Sequence, residues 1–245
     1  MIERIHYQQI DSSNNYALEL LNYYGEIIVT ADYQTNGRGR NNKKWQGEYA
    51  KNIYFSLGIK HLDNKKFKIF NNLSTYQSVS CLSVRDTLAS VSMENIFKLK
   101  YPNDIYAVCR DDVCRKISGS LIEHTFSGSD CRTTIIGIGI NNSQIEFDED
   151  IDLASTSLVN LGIDITNEII IEELIDKLEF YLSKTDDEIK EIWVEELSLA
   201  NKDIIVNDSS SIWKLVNILD DGRLLLSSGD ITRIINNGDT IRYEL

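Results

Sequence analysis

Proline is almost missing. Pro102 is the only one in 245 residues, so a ring that fixes φ and donates no backbone hydrogen bond is used once, as the mark of a sharp bend. Histidine is scarce, and His6, His61 and His124 form no HExxH pattern. The four cysteines, Cys81, Cys109, Cys114 and Cys131, contain no CxxC pair. A protein-held zinc cage is therefore not expected; the histidines read as structural or surface groups and the cysteines as free thiols of a reducing compartment. No apolar run approaches the ~18 residues that span a bilayer. The opening Met1-Ile2-Glu3-Arg4 lacks the basic and apolar regions of a signal peptide. A soluble, cytoplasmic protein is expected. Positive charge is also short: 25 Lys and Arg face 38 Asp and Glu, for a net charge of -13. Phosphate-rich surfaces would be repelled overall, which argues against DNA, RNA or membrane as a general partner and leaves room for a local basic patch.

A hydrophobic fraction of 42% and an aromatic fraction of 9% can build a core, and the length suits one large domain or a medium one with a small one. Glu3 to Gln9 reads as a strand. A helix follows, with Ala17, Leu18 and Leu21 on one face, Ser12 or Ser13 as cap and Gly25 as stop. Ile27 to Thr30 is a short buried strand. Ile53, Phe55, Leu57 and Ile59 alternate with Tyr54, Ser56 and Gly58, a strand with two distinct faces. Phe67 to Val91 repeats at helical spacing and predicts one long helix. Lys98–Tyr101, Ile105–Val108, Ile117–Glu123 and Thr134–Ile140 read as strands, then Glu168–Leu182 and Asp186–Leu199 as helices, the second with a Thr185/Glu188 capping box. After Asn201 short strands take over between the turn signals Asp221-Gly222 and Asn237-Gly238. The pattern predicts an α+β unit over residues 1–199 and a small β-barrel-like unit over 200–245.

Four segments carry candidate chemistry. In Gln34-Thr35-Asn36-Gly37-Arg38-Gly39-Arg40-Asn41-Asn42-Lys43-Lys44-Trp45 two glycines permit tight turns, and four cations in seven positions make a local anion site; a solvated basic turn reads equally well from composition. In Lys98-Leu99-Lys100-Tyr101-Pro102-Asn103-Asp104 the bend at Pro102 places Asn103 and Asp104 at a strand end, facing a cleft or forming an ordinary polar turn. In Arg115-Lys116-Ile117-Ser118-Gly119-Ser120-Leu121-Ile122-Glu123 a lysine enters a strand, aimed at an anion or merely exposed. In Ile136-Gly137-Ile138-Gly139-Ile140-Asn141-Asn142 alternating glycines admit close packing by a ligand or by a neighbouring helix.

In their order and spacing these segments, with Asp11-Ser12-Ser13-Asn14 before them, resemble the biotin protein ligase family. The family pattern has a Gly-Arg-Gly-Arg loop ending in Trp, a Lys-Trp-Pro-Asn-Asp turn, a Lys-x-x-Gly strand and a Gly-x-Gly-x-Asn strand. The likeness spans about residues 1–200, and the β tail matches the family's SH3-like domain more loosely. Three departures stand out: Tyr101 for the usual Trp, keeping an aromatic wall; Lys43 for a frequent third Arg, losing the bidentate fork; and Asn42 for a common Gly, tolerating left-handed backbone.

The resemblance implies a mixed-sheet catalytic domain and a two-step reaction. Biotin's carboxylate attacks the α-phosphate of ATP to give biotinyl-5′-AMP, and a lysine of a biotin carboxyl carrier domain then takes the acyl group. Lys116, Arg40 and Asp104 are the implied catalytic residues, with Asp104 as acceptor of the lysine proton. Ser12, Ser13, Asn14 and Gln34 are implied to face the ureido ring. Gly37, Arg38, Gly39, Trp45, Lys100, Asn103, Gly119 and Asn141 complete the implied adenylate site, under a loop that orders over the ligand. Mg²⁺ accompanies ATP and keeps mostly water ligands, so no protein ligand is named. Pairing of two copies along a strand edge fits the family. An N-terminal DNA-binding domain has no room before residue 11, so no operator binding is expected. Two alternatives remain: a lipoate ligase or octanoyl transferase, whose usual pattern lacks the Gly-Arg-Gly-Arg loop followed by Lys-x-Pro-Asn-Asp, and a non-catalytic biotin or nucleotide binder, against which the retained Arg40, Asp104 and Lys116 argue.

Overall fold

A computed structural model of the chain describes residues 2–245 except 65, 95, 148–154, 198, 200, 201, 208, 209, 236 and 237. The elements in order are β1 (Glu3–Ile10), α1 (Ser13–Leu20), β2 (Glu26–Gln34), β3 (Asn52–Lys60), α2 (Thr75–Ser92), β4 (Phe97–Lys100), β5 (Asp104–Val108), β6 (Cys114–Ser127), β7 (Asp130–Asn141), α3 (Asn167–Leu182) and α4 (Asp186–Leu197). The seven strands form one sheet in the order β1-β2-β3-β7-β6-β5-β4. β1 and β2 are parallel, and α1 supplies the crossover that a parallel pair requires. Every other neighbouring pair is antiparallel.

Both sheet faces are covered. Ala17 and Leu21 bury against Ile27, Val29, Ala31 and Tyr54 on one side. Residues of α2, α3 and α4 bury against Phe55, Leu57, Ile138 and Ile140 on the other. β3 thus has two faces, as its alternation implies, but both are buried; Gly58 lies under α1, where an added Cβ would stand 3.4 Å from the Ala17 carbonyl oxygen.

Several local expectations shift. α2 begins at Thr75, and Phe67 and Phe70 are buried ahead of it. α1 ends before Gly25, whose Cα abuts the Asp63 carbonyl. Ser12 stands at the N-cap of α1 with no side-chain cap bond, and Leu18 is exposed. The capping box of α4 forms: the Thr185 N–H donates to Glu188 Oε2 (2.7 Å) and the Glu188 N–H to Thr185 Oγ1 (3.3 Å).

Five short strands follow: β8 (Ile204–Val206), β9 (Ile212–Ile218), β10 (Leu224–Ser228), β11 (Ile231–Ile235) and β12 (Ile241–Arg242). They form an antiparallel sheet ordered β11-β10-β9-β8-β12. Gly222 turns β9 into β10 at φ 81°; Asn237 of the second turn signal lies outside the described residues. This unit docks on the large one through the β4–β5 turn. Tyr101 Oη donates to the Gly222 carbonyl (2.9 Å), and the Tyr101 N–H donates to Tyr243 Oη (2.7 Å).

Candidate active site

The β2–β3 loop, the β4–β5 turn and the middles of β6 and β7 enclose a cavity of about 430 Å³. Ser12, Ser13, Asn14, Gln34, Arg38, Gly39, Arg40, Trp45, Asn103, Asp104, Lys116, Gly119 and Asn141 all line it. Gly37 and Lys100 do not line it. Lys100 places its ammonium over the rings of Tyr106 (5.5 Å) and Tyr243 (5.1 Å), where burial lowers its pKa. Tyr101 also departs from expectation: it forms no wall of the cavity and bolts the C-terminal unit in place.

The loop is a hairpin. The Gly39 N–H donates to the Lys43 carbonyl (2.7 Å) and the Trp45 N–H to that of Gly37 (3.0 Å). Its left-handed residue is Asn41 (φ 54°), one position before the Asn42 expected to take that role; the Asn42 side chain lies outside the described residues. Gly37 is required by space, since an added Cβ would sit 2.4 Å from the Trp45 carbonyl oxygen.

The strand glycines admit side chains of this chain. A Cβ on Gly137 would meet Asn14 Oδ1 at 2.2 Å, and one on Gly139 would meet Trp45 Cε2 at 2.3 Å. β6 and β7 pair Gly137 with Leu121 and Gly139 with Gly119. The two openings are therefore two residues apart, about 7 Å along the strand, and they separate two ends of the cavity.

One end is polar, with neutral Ser12, Ser13, Asn14 and Gln34 in the lining and the Arg38–Glu123 ion pair beside them. The Ser13 N–H donates to Gln34 Oε1 (2.6 Å), and Ser56 Oγ donates to Asn14 Oδ1 (2.6 Å) and bonds Ser13 Oγ (2.8 Å). Asn14 Nδ2 donates to Glu123 Oε2 (2.7 Å). Arg38 Nη2 reaches both oxygens of the same carboxylate (3.0 and 2.8 Å), and its Nη1 donates to Asn15 Oδ1 (2.6 Å). Glu123 ends the Lys116 segment but has no role in the sequence reading, and Ser56 and Asn15 escape it, because nothing local links the three to the loop.

The other end is cationic. Lys116 Nζ lies 2.7 Å from Asp104 Oδ1 and 5.4 Å from the centre of the Trp45 ring. Trp45 Nε1 is buried and has no hydrogen-bond partner among the described residues. Arg40 Nη1 donates to Asn103 Oδ1 (3.2 Å), and Asn103 Nδ2 to the Ser120 carbonyl (2.9 Å). Arg40 is thus steadied by a neutral amide, while Arg38 and Lys116 face carboxylates. Lys43 and Lys44 add charge at the rim. Asn141 lines the cavity, with its amide donated to the Thr156 carbonyl (3.0 Å). Such a chamber fits an elongated ligand with a neutral polar head and an anionic tail.

His61 and His124 stand elsewhere, both bonded to Thr134 Oγ1; burial lowers both pKa values, that of His124 to about 4. Among the described residues no group of three or more His, Cys, Asp or Glu converges on a metal position, and no helix is long and apolar enough to cross a membrane.

A model of the biotin/lipoate A/B protein ligase family matches residues 6–141. The bifunctional ligase/repressor BirA of Salmonella typhimurium is 29% identical over 174 residues, 69% of this chain and 50% of that protein. A biotin–[acetyl-CoA-carboxylase] ligase of Mycobacterium tuberculosis is 30% identical over 138 residues, 56% of this chain and 46% of that one. The chain spans about half the length of the curated relatives it matches. A biotin protein ligase of Aquifex aeolicus, solved in complex with biotin and ATP, superimposes with a TM-score of 0.74 at 25% identity, covering 100% of this chain and 99% of that one.

Proposed function

The chain belongs to the biotin/lipoate A/B protein ligase family, and from that premise we propose that it is an ATP-dependent biotin protein ligase. The observation that carries this reading is the two-ended cavity, with Ser12, Ser13, Asn14 and Gln34 at one end and Arg40, Lys116 and Asp104 at the other. Biotin has the same division: a neutral ureido ring and a carboxylate.

In the first step a carboxylate oxygen of biotin bonds to the α-phosphorus of ATP and pyrophosphate leaves. Two anions must meet, so Arg40 and Lys116 offset their repulsion and stabilise the charge that builds on the phosphoryl oxygens. Arg40 is the readier of the two, since it leaves no carboxylate behind when it turns to a phosphate. Mg²⁺ belongs to this reading as the companion of ATP, supplying charge neutralisation at the phosphates with mostly water ligands. Trp45 and the hairpin shield the mixed anhydride from water.

In the second step the neutral amine of an acceptor lysine bonds to the acyl carbon, AMP leaves, and the amine proton must go to a base. Asp104 takes it once Lys116 has turned to the phosphate. A free lysine has a pKa of about 10.4, so an adjacent base is needed near neutral pH. The acceptor in this reading is a biotin carboxyl carrier domain. Residues 1–199 form the catalytic domain and 200–245 the small SH3-like domain. The reading places the protein in the cytoplasm, allows two copies to pair along a strand edge and, at a net charge of -13, involves no DNA.

The test is incubation with Mg·ATP, labelled biotin and a carrier domain, with pyrophosphate release and carrier labelling followed separately. R40A and K116A each lower adenylation about 100-fold, and D104A lowers transfer more than adenylation. Equal loss of both steps in D104A rejects its role as base. Labelling from lipoate or octanoate in place of biotin would move the substrate to the family's other branch.

A further inference from the structure

We propose that Glu123 is a positioning residue that holds the cationic hairpin and the polar end of the cavity in one frame. Glu123 lies on β6, four strand positions beyond Gly119. Its carboxylate is the meeting point of two elements far apart in the chain. Arg38 of the hairpin approaches both of its oxygens, at 3.0 and 2.8 Å, and Asn14 at the start of α1 donates to Oε2 at 2.7 Å. Asn14 Oδ1 in turn accepts a hydrogen bond from the Ser56 hydroxyl at 2.6 Å. Moving Glu123 therefore displaces Arg38 and Asn14 together.

The geometry is that of a latch. A planar guanidinium set against both carboxylate oxygens restricts rotation as well as distance. Of the side-chain bonds described here between the hairpin and β6 or the β4–β5 turn, Arg38–Glu123 is an ion pair and Arg40–Asn103 is neutral. The Arg38 and Glu123 side chains are 36% and 40% exposed, so salt should weaken the latch. It is strong enough to bias the hairpin and weak enough to open as ligand enters and leaves.

Trypsin reads the hairpin without any substrate, because Arg38, Arg40, Lys43 and Lys44 are its cleavage sites and nicking follows the population of the open form. E123Q keeps an acceptor for Asn14 and removes the charge that holds Arg38. It should be nicked within residues 37–45 about 5-fold faster, at an unchanged melting temperature, and lose the salt acceleration that the parent protein shows. R38Q, which removes one site, should match it when nicking is read after Arg40, Lys43 and Lys44 alone, and the double variant should be no worse than either single one at those sites. The further expectation, that E123Q leaks biotinyl-5′-AMP about 5-fold faster, rests on the ligase reading. If folded E123Q and R38Q are nicked at the parent rate with the parent salt response, the latch is wrong even where the parent protein makes adenylate. If both are nicked faster while the parent protein makes no adenylate, the latch stands and the ligase reading falls.

Discussion

Gly139 illustrates what one absent methyl group does. Its Cα carries the Trp45 indole, opposite Gly119 on the adjoining strand. G139A puts a carbon inside the indole's volume, so Trp45 must leave its seat and the ammonium of Lys116 loses its aromatic neighbour. Overpacking of this kind costs about 1–3 kcal/mol. We expect G139A to fold, to shift Trp45 emission to the red relative to a W45F control and, on the ligase reading, to lower adenylation at least about 10-fold. Unchanged emission and rate would show that the indole needs no such seat. The alternation of glycines was legible in the sequence; which side chain fills each gap was not. Lys100 and Tyr101 make the same point from the other side. The motif marks Lys100 as a site residue and Tyr101 as an aromatic wall, yet both meet the C-terminal unit, Lys100 over the Tyr243 ring and Tyr101 at Gly222 and Tyr243.

At the scale of elements, local chemistry predicts well where near neighbours decide. The Thr185–Glu188 box starts α4 as its spacing requires. T185A should cost about 1 kcal/mol, seen as a lower urea midpoint at constant slope; an unchanged midpoint would mean that packing of Ile189, Trp193 and Leu197 alone holds the helix. The start of α2 shows the opposite case. Phe67 and Phe70 continue the helical period, but polar side chains capture the backbone instead. Asn64 Oδ1 accepts the Phe67 N–H (2.8 Å), and Asp186 of α4 accepts the N–H groups of Asn71 (3.1 Å) and Asn72 (3.3 Å). A carboxylate more than a hundred positions away thus competes with helix propagation, and no window on the sequence contains it.

For the molecule as a whole, the β4–β5 turn joins two tasks. Asn103 and Asp104 line the cavity, while Tyr101, just before them, is gripped by Gly222 and Tyr243 of the small sheet. Y243F deprives the Tyr101 N–H of its acceptor and should cost about 1–3 kcal/mol, the penalty for a buried donor left unmatched. Thermal unfolding measures that loss. On the ligase reading adenylation falls too if the turn transmits it; full stability in Y243F would show that the N–H finds another acceptor.

Periodicity, turn residues and caps act between residues a few positions apart, and so the order of strands and helices, the small β tail and the segments bearing Arg40, Asp104 and Lys116 were all present in the chain as written. Partnership across the sheet was not. Arg38 meets Glu123 across 85 positions, and Trp45 meets Gly139, only because the registers of β3, β6 and β7 bring those residues to one place. Register is a property of the closed sheet, set by which faces both layers of helices can bury, and tertiary packing alone decided it.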